Sequence, residues 1–259
     1  MTQELYTAPP FDRLWAGRDA FAEVAAIEGE VFRSREGRRT VRFQTVDGGR
    51  FFLKEHRGIG WGEIFKNLLL FKAPVTGAGN EYRAVRTLTS AGVPTMEVAA
   101  YGRRGRNPAR EQSFIITREL SGMPSCEDYC RDGNVPDLRE KRRFIRLLAD
   151  SIRRMHACGV NHRDCYLCHY LIDRTGGDLQ LRVIDLHRAQ IRARVPFRYL
   201  VKDLSGIYFS ALDYFPALTR NDALAFIAAY SGGLEKYDRK LWRRVDAAAR
   251  RLLRRGAKG

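Results

Sequence analysis

The chain is short of cysteine, of lysine and of any long apolar run. Five cysteines in 259 residues is an odd number, and so few thiols argue against a disulfide framework. The first residues, Met1-Thr2-Gln3-Glu4, show no basic stretch followed by an apolar one, so no secretory signal is legible there. The most apolar stretch, Ile64 to Phe71, is interrupted by Lys66 and Asn67 and falls far short of the ~20 residues a membrane span needs. These absences together place the expected site of action in the cytoplasm or on the inner face of a membrane. With 23 glycines and 9 prolines, collagen-like and low-complexity readings fail as well, and no internal repeat is visible.

What is present is a foldable composition with a large basic excess. Hydrophobic residues make up 44% and charged residues 29%, a balance that supports a packed core. The net charge is +16, and such a surface meets something anionic: nucleic acid, phospholipid, a phosphorylated or acidic sugar, or an acidic protein. Of the 46 basic residues only 8 are lysine, and arginine suits two-pronged contacts to phosphate and carboxylate. A coding bias toward arginine is the plain alternative. No helix-turn-helix, zinc-finger or RNA-binding motif accompanies the charge, which argues against a nucleic-acid partner.

The pattern changes near the middle. Thr40 to Gln44 alternates polar and apolar residues, Asp47-Gly48-Gly49 signals a turn, and Phe51 to Lys54 resumes as a strand. Glu81 to Ala91 reads as a helix capped by Asn80 and stopped by Gly92 and Pro94, and Phe114 to Thr117 as another strand. Beyond this, Ser125 and Asp128 resemble a capping box. Leu138 to Cys158 reads as a long helix with Phe144, Leu148, Ile152 and Met155 on one face and Gly159 at its stop. Leu179 to Val183 alternates like a strand, and the remainder is mostly helical. The expectation is an α+β chain of two lobes: a strand-rich N-lobe over 1–118 with one principal helix, and a helical C-lobe over 119–259, with the ligand cleft between them.

Four residues stand out by context. Lys54 ends an apolar strand, Glu81 lies in the helix after it, Asp164 sits in His162-Arg163-Asp164 after the long helix, and Asp185 closes Val183-Ile184-Asp185. That order matches the parts of protein-kinase-like phosphoryl transfer. The chemistry needs a cation on the nucleotide phosphates, an anion to hold that cation, a carboxylate facing the attacking hydroxyl, and another carboxylate on the metal. Taken singly, each has a plainer reading as an edge lysine, a helix surface charge or a turn aspartate.

The departures are informative. Five residues after Asp164, where a protein kinase carries Asn, stands His169. It could bind a second metal, touch phosphate or merely pack. The strand-end motif is Asp185-Leu186-His187 rather than Asp-Phe-Gly. The phosphate loop falls at Ser34-Arg35-Glu36-Gly37-Arg38-Arg39, with one glycine; Ser34 and Gly37 are the candidates there, and arginine could replace backbone amides. A charged hairpin tip is the equal alternative. Glu119, at the junction of the two halves, is a further nucleotide-binding candidate. Cys165-Tyr166-Leu167-Cys168-His169 also fits the c-type haem attachment pattern, but haem attachment requires export. Cys126, Cys130, Cys165, Cys168 and His169 could formally supply zinc ligands, with buried structural thiols the simpler reading.

These segments resemble a known family. His162 to His169, followed by Val183-Ile184-Asp185-Leu186-His187-Arg188-Ala189-Gln190, is similar to the lipopolysaccharide core heptose kinases of Gram-negative bacteria. So are Phe52 to Gly58 and Asn161, and the likeness runs from Phe11 to about Tyr230. The resemblance implies a protein-kinase-like fold and ATP- and Mg²⁺-dependent phosphorylation of the first inner-core heptose at its 4-hydroxyl. It implies Asp164 as catalytic base, Asp185 as metal ligand, Lys54 as the phosphate-binding lysine and Glu81 as its partner. His169 belongs to the family's own pattern.

The acceptor implied is the acidic lipid A–core of lipopolysaccharide. Arg188, Arg192, Arg194 and Arg198 follow Asp185 closely and, with Arg163, are the acceptor-binding candidates; a solvated basic face is the alternative. Asp203 could brace the catalytic loop. Trp61 to Phe71 and Leu241 to Arg255 interleave apolar and basic residues, as membrane-surface helices do, although packing explains most of their apolar positions. An apolar groove near Leu68 could receive an acyl chain from an acidic carrier protein.

Overall fold

The computed structural model describes residues 3–35, 37–58, 60–69, 77–131, 137–216 and 218–256. They fall into two units, Met1–Val85 with Met96–Ser121, and Arg86–Thr95 with Gly122–Gly259. The change of pattern at residue 118 lies three residues from the change of unit, and the segment 86–95 belongs to the second unit although it precedes the last strands of the first.

The first unit runs β1 (Gln3–Thr7), α1 (Phe11–Leu14), α2 (Ala20–Ala26), β2 (Glu30–Arg35), β3 (Arg38–Gln44), β4 (Arg50–His56), α3 (Gly60–Leu69), α4 (Gly79–Ser90, whose residues from Arg86 on belong to the second unit), β5 (Val98–Arg104) and β6 (Gln112–Arg118). Its strands form one antiparallel sheet in the order β1-β5-β6-β4-β3-β2. Alternation assigns the faces. Phe51 and Leu53 of β4, Phe43 of β3 and Phe114 and Ile116 of β6 point to one side, where Phe11, Trp15, Phe21 and Val24 of the α1–α2 segment cover them. Edge-on aromatic contacts, Phe11 to Phe51 at 5.0 Å and Phe21 to Phe114 at 5.1 Å, fill this core. Ile115 and Tyr101 face the other side and meet Tyr82 of α4, with the Tyr82 and Tyr101 rings stacked at 3.9 Å. Lys54 pairs in register with Ile115, so its side chain leaves the sheet on the face that α4 covers.

The second unit runs α5 (Cys126–Arg131), α6 (Leu138–Ala157), β7 (Val160–Asn161), β8 (Tyr170–Asp173), β9 (Gln180–Val183), β10 (Gln190–Ile191), α7 (Phe197–Tyr214), α8 (Arg220–Ser231) and α9 (Arg239–Gly256). Ser125 accepts the Asp128 amide at 3.0 Å and Asp137 accepts that of Glu140 at 2.7 Å, which starts α5 and α6. The apolar stripe of α6, Phe144, Leu148, Ile152 and Met155, is buried as its spacing predicts. Two small hairpins, β7 with β10 and β8 with β9, carry the loops of interest. Residues 162–169 join β7 to β8, and Asp185 follows β9. Two glycines let the backbone close around these loops. A Cβ on Gly159 would meet the Arg192 carbonyl oxygen at 1.8 Å, and one on Gly206 of α7 would meet that of Cys165 at 2.4 Å.

Three sequence expectations shift. The helix bearing Glu81 begins at Gly79, so Asn80 lies inside it and accepts a hydrogen bond from Arg83 Nη2 at 2.8 Å rather than capping. The first unit also holds α1, α2 and α3 beside its principal helix. Within the Trp61–Phe71 stretch, Ile64 is buried while Trp61, Phe65 and Leu69 are exposed; the Leu68 side chain and residues 70–76 lie outside the described residues.

Candidate active site

In the first unit the Lys54 ammonium stands 2.8 Å from Glu81 Oε1. Glu81 is 1% exposed, and a buried carboxylate requires a cation beside it. Ser34 and Gly37 lie at the β2–β3 hairpin tip, where Ser34 pairs with Arg39 and Gly37 takes a positive φ of 72°. The side chain of Glu119 is held within its own unit: Oε1 accepts from Arg42 Nη2 at 2.7 Å and Oε2 lies 3.5 Å from Arg50 Nε. Its backbone amide donates to the Arg50 carbonyl.

In the second unit the loop after α6 is fixed from below. Asp203, fully buried on α7, accepts the backbone amide of His162 through Oδ2 at 2.7 Å and that of Arg163 through Oδ1 at 2.8 Å. These bonds hold Arg163 at a φ of 74°, a left-handed conformation that a side chain resists. Among the described residues only Arg163 and Asp185, at 56°, combine a side chain with a positive φ. Both mark the candidate centre. His156 adds a link: its Nε2 lies 3.3 Å from Asp203 Oδ2, and its Nδ1 is 2.8 Å from the Tyr230 hydroxyl on α8.

Two imidazoles then tie the loop to the strand-end carboxylate. His162 is buried, and burial pulls its pKa below the usual 6.5. Its neutral ring donates from Nε2 to the carbonyl of Ile184, at 2.9 Å. His169 stacks on it with centroids 5.4 Å apart. The Nδ1 of His169 is 2.7 Å from the Asp164 carbonyl oxygen, and its Nε2 stands 3.7 Å from Asp185 Oδ2. A carbonyl oxygen can only accept, so Nδ1 carries the proton. In the tautomer whose single proton sits on Nδ1, the Nε2 lone pair points at the Asp185 carboxylate. Two electron-pair donors set against each other in this way fit a cation, and metal-binding histidines characteristically donate their other nitrogen to a carbonyl. The second Asp185 oxygen accepts from His187 Nδ1 at 2.9 Å. No cluster of three or more His, Cys, Asp or Glu side chains forms a complete metal cage among the described residues. Mg²⁺, when bound by a protein, takes one or two carboxylates and finds its other ligands in phosphate and water, and Asp185 is the carboxylate here that would hold it.

The cysteines take the packing alternative. Burial raises the Cys126 and Cys165 thiols well above the usual value and pushes Cys130 up to about 12 and Cys168 to about 11. All five are free thiols, and Cys126, Cys130 and Cys165 are buried in the packed interior.

The arginines take separate places. Arg188 Nη1 donates to both oxygens of Asp164, at 2.8 and 2.9 Å. Arg192 donates to Asn161 Oδ1 and Gln190 Oε1 and lies over the Tyr199 ring at 4.4 Å. Arg198 stacks against that ring at 4.7 Å, and Arg194 is exposed. Arg163 keeps a buried Nε with no hydrogen-bond partner among the described residues. Sequence reasoning missed Lys202, exposed and within electrostatic reach of Asp164, Arg163 and Arg188, and the His156–Tyr230 link. The lysine's position before Asp203 was the only signal for the first.

A cation–carboxylate pair on the sheet, a braced loop aspartate and a strand-end aspartate joined to that loop define a phosphotransferase of the protein-kinase-like class. Comparison with known proteins makes this specific. Residues 22–230 match the lipopolysaccharide kinase (Kdo/WaaP) family, and the chain belongs to that family. It is 51% identical over 227 residues to the lipopolysaccharide core heptose(I) kinase WaaP of Pseudomonas aeruginosa, covering 85% of this chain and 84% of that one. It is 48% identical over 229 residues to the enzyme of the same name from Escherichia coli K12, covering 86% and 85%. A solved structure described as WaaP in complex with acyl carrier protein superposes with a TM-score of 0.81 at 40% identity, covering 96% of this chain and 99% of that one. The family and fold expected from the motifs are borne out.

Proposed function

We propose that this chain transfers the terminal phosphate of ATP to the first heptose of the lipopolysaccharide inner core, at its 4-hydroxyl. The observation that supports this most is the His169 imidazole, which contacts the Asp164 backbone on one side and faces the Asp185 carboxylate on the other. In this reading Asp164 takes the proton of the acceptor hydroxyl. Asp185 and His169 hold Mg²⁺, which when bound neutralises charge on the phosphate oxygens. Glu81 orients Lys54 toward phosphate, and Ser34, Gly37 and Glu119 are the remaining nucleotide-binding candidates. Arg163, Arg188, Arg192, Arg194 and Arg198 surround the acceptor; Arg192 does so through its shared stack with Tyr199 rather than as a free cation.

The partner reading also sharpens. An acyl carrier protein is named with the structural relative. Helices α6, α7, α8 and α9 of this chain enclose a cavity of about 420 Å³ lined by Leu148, Leu204, Ile207, Phe226 and Trp242 among others. An apolar space of this kind suits an alkyl chain, so we assign the acyl group to the helical unit rather than to the neighbourhood of Leu68. Peripheral attachment to an anionic membrane fits α9, whose apolar Leu241, Trp242, Val245 and Ala249 are buried and whose arginines remain for electrostatic contact. No described helix is long and apolar enough to cross a membrane.

An acceptor panel tests the reaction. Purified protein with Mg-ATP should phosphorylate core oligosaccharide lacking its heptose phosphate and leave simple sugars and peptides unlabelled. Preferential labelling of peptides or simple sugars would refute the assignment.

A further inference from the structure

Arg188 is placed to do more than bind an acidic acceptor. Its Nη1 stands 2.8 and 2.9 Å from the two oxygens of Asp164. One nitrogen equidistant from both oxygens lies in front of the carboxylate, where an approaching hydroxyl would otherwise donate. The Asp164 side chain is 19% exposed and that of Arg188 36%, so this is a pair at the rim, open to exchange. The anchor beneath is firm: Leu186, which opens the 3₁₀ turn that carries Arg188, and Ala189, which follows it, are 0% and 2% exposed. The guanidinium can move on its own stem while the backbone stays.

The charge around the pair is unbalanced. Arg163, Arg188 and Lys202 all act on Asp164 and on one another. Asp203 is fully buried and committed to two backbone amides and His156. Three cations thus act on Asp164, while Asp185 is engaged by His187 and faces His169. The unpartnered Nε of Arg163 is a donor with no recipient. Such a surplus attracts a second anion.

We propose that Arg188 is an exchangeable counter-ion of the base. It covers Asp164 until an anionic group of the acceptor, a sugar carboxylate or phosphate close to the reacting alcohol, draws the guanidinium onto itself. The vacated carboxylate then receives the hydroxyl proton as the acceptor oxygen bonds to the terminal phosphorus and the bond to ADP breaks; no further reactant is needed. Arg188 is thereby a specificity-determining residue, since a neutral sugar cannot uncover the base and water is a poor competitor. The inference rests on the heptose-kinase reading above.

The test compares two acceptors that differ only in charge: dephosphorylated core oligosaccharide, and the same molecule with its sugar-acid carboxylates methyl-esterified. The wild-type kcat should favour the acid form at least tenfold. In Arg188→Gln that preference should fall at least tenfold, chiefly because the ester is turned over faster, and ATP hydrolysis without acceptor should rise. Arg188→Lys should restore part of the preference. A third acceptor, the ester with its other core phosphates kept, tells the anions apart: faster turnover than the phosphate-free ester makes phosphate a trigger too. Equal wild-type turnover of all three overturns the proposal without recourse to any variant. So does an Arg188→Gln enzyme that loses both activities by one common factor, since the cation would then act on the transferred phosphate. If the wild type phosphorylates neither acceptor, the heptose-kinase reading falls and this inference with it.

Discussion

His169 Nε2 stands 3.7 Å from Asp185 Oδ2, while the other nitrogen of the same ring is bound to the Asp164 backbone. One side chain therefore couples the loop that carries Asp164 to the strand end that carries Asp185. Replacing His169 with Asn preserves a short polar group but shortens the reach to Asp185. The expected result is weaker Mg²⁺ binding, read as a several-fold rise in the Mg²⁺ concentration for half-maximal rate. Replacement with Ala should do this and also lower kcat. An unchanged Mg²⁺ titration in both variants would remove His169 from the metal site.

The Asp164→Asn variant keeps the shape and loses the base. General-base catalysis contributes roughly 10²–10⁴-fold, so turnover should drop by about that factor with little change in circular dichroism or melting temperature. Wild-type turnover would show that another group takes the proton.

Asp203→Ala acts through structure. It strands the amides of His162 and Arg163, which Asp203 holds at 2.7 and 2.8 Å in a fully buried site. Each hydrogen bond to a charged group is worth about 1.5–3 kcal/mol. Denaturant unfolding should show a loss of about 3 kcal/mol or more, and activity should fall because Arg163 is no longer held in its left-handed conformation. A loss below about 1 kcal/mol would deny the brace.

Removing Lys54 separates two effects. Lys54→Met leaves Glu81, 1% exposed, without its cation. Breaking a buried pair in this way costs about 3–5 kcal/mol, less here because Lys54 itself is one-quarter exposed. The double variant Lys54→Met/Glu81→Gln should recover stability but not ATP affinity. Recovery of both would make the pair purely structural.

Acid should weaken the fold through His162. Burial depresses its native pKa below the 6.5 of the unfolded chain, so the native ring stays neutral while the unfolded one takes up a proton. This contribution to stability is complete above pH 6.5 and is lost as pH falls from there through the depressed native value. In unfolding measured from pH 8 to 5, His162→Gln should flatten the decline; an unaltered slope would assign it to other groups.

The sequence made much of this legible, and where it failed the cause is physical. The stripe of α6 and the strand around Phe51 announced themselves because period 3.6 and period 2 both survive in one-sided burial, whereas Phe114 to Thr117 was legible as a short apolar, β-branched run buried on both faces. Strand β5, Val98-Ala99-Ala100-Tyr101-Gly102, did not: its Ala99, Ala100 and Tyr101 are all buried, which erases alternation. Lys54, Glu81, Asp164 and Asp185 were singled out by their order along the chain. The salt bridge of Arg188 to Asp164 spans 24 positions, and the His156–Tyr230 link spans 74. Such partners are set by tertiary packing, and no local pattern encodes them. The four-helix cavity was invisible for the same reason, since its lining comes from faces that each look like ordinary core.

The most direct measurement is the position of the phosphate in the product. Core oligosaccharide lacking its heptose phosphate is incubated with Mg-ATP and the purified protein, and the product is assigned by phosphorus–proton correlation spectroscopy. One phosphate on the 4-hydroxyl of the first heptose is the result this account requires. A phosphate on another sugar or hydroxyl, or release of inorganic phosphate with the core unchanged, would contradict it.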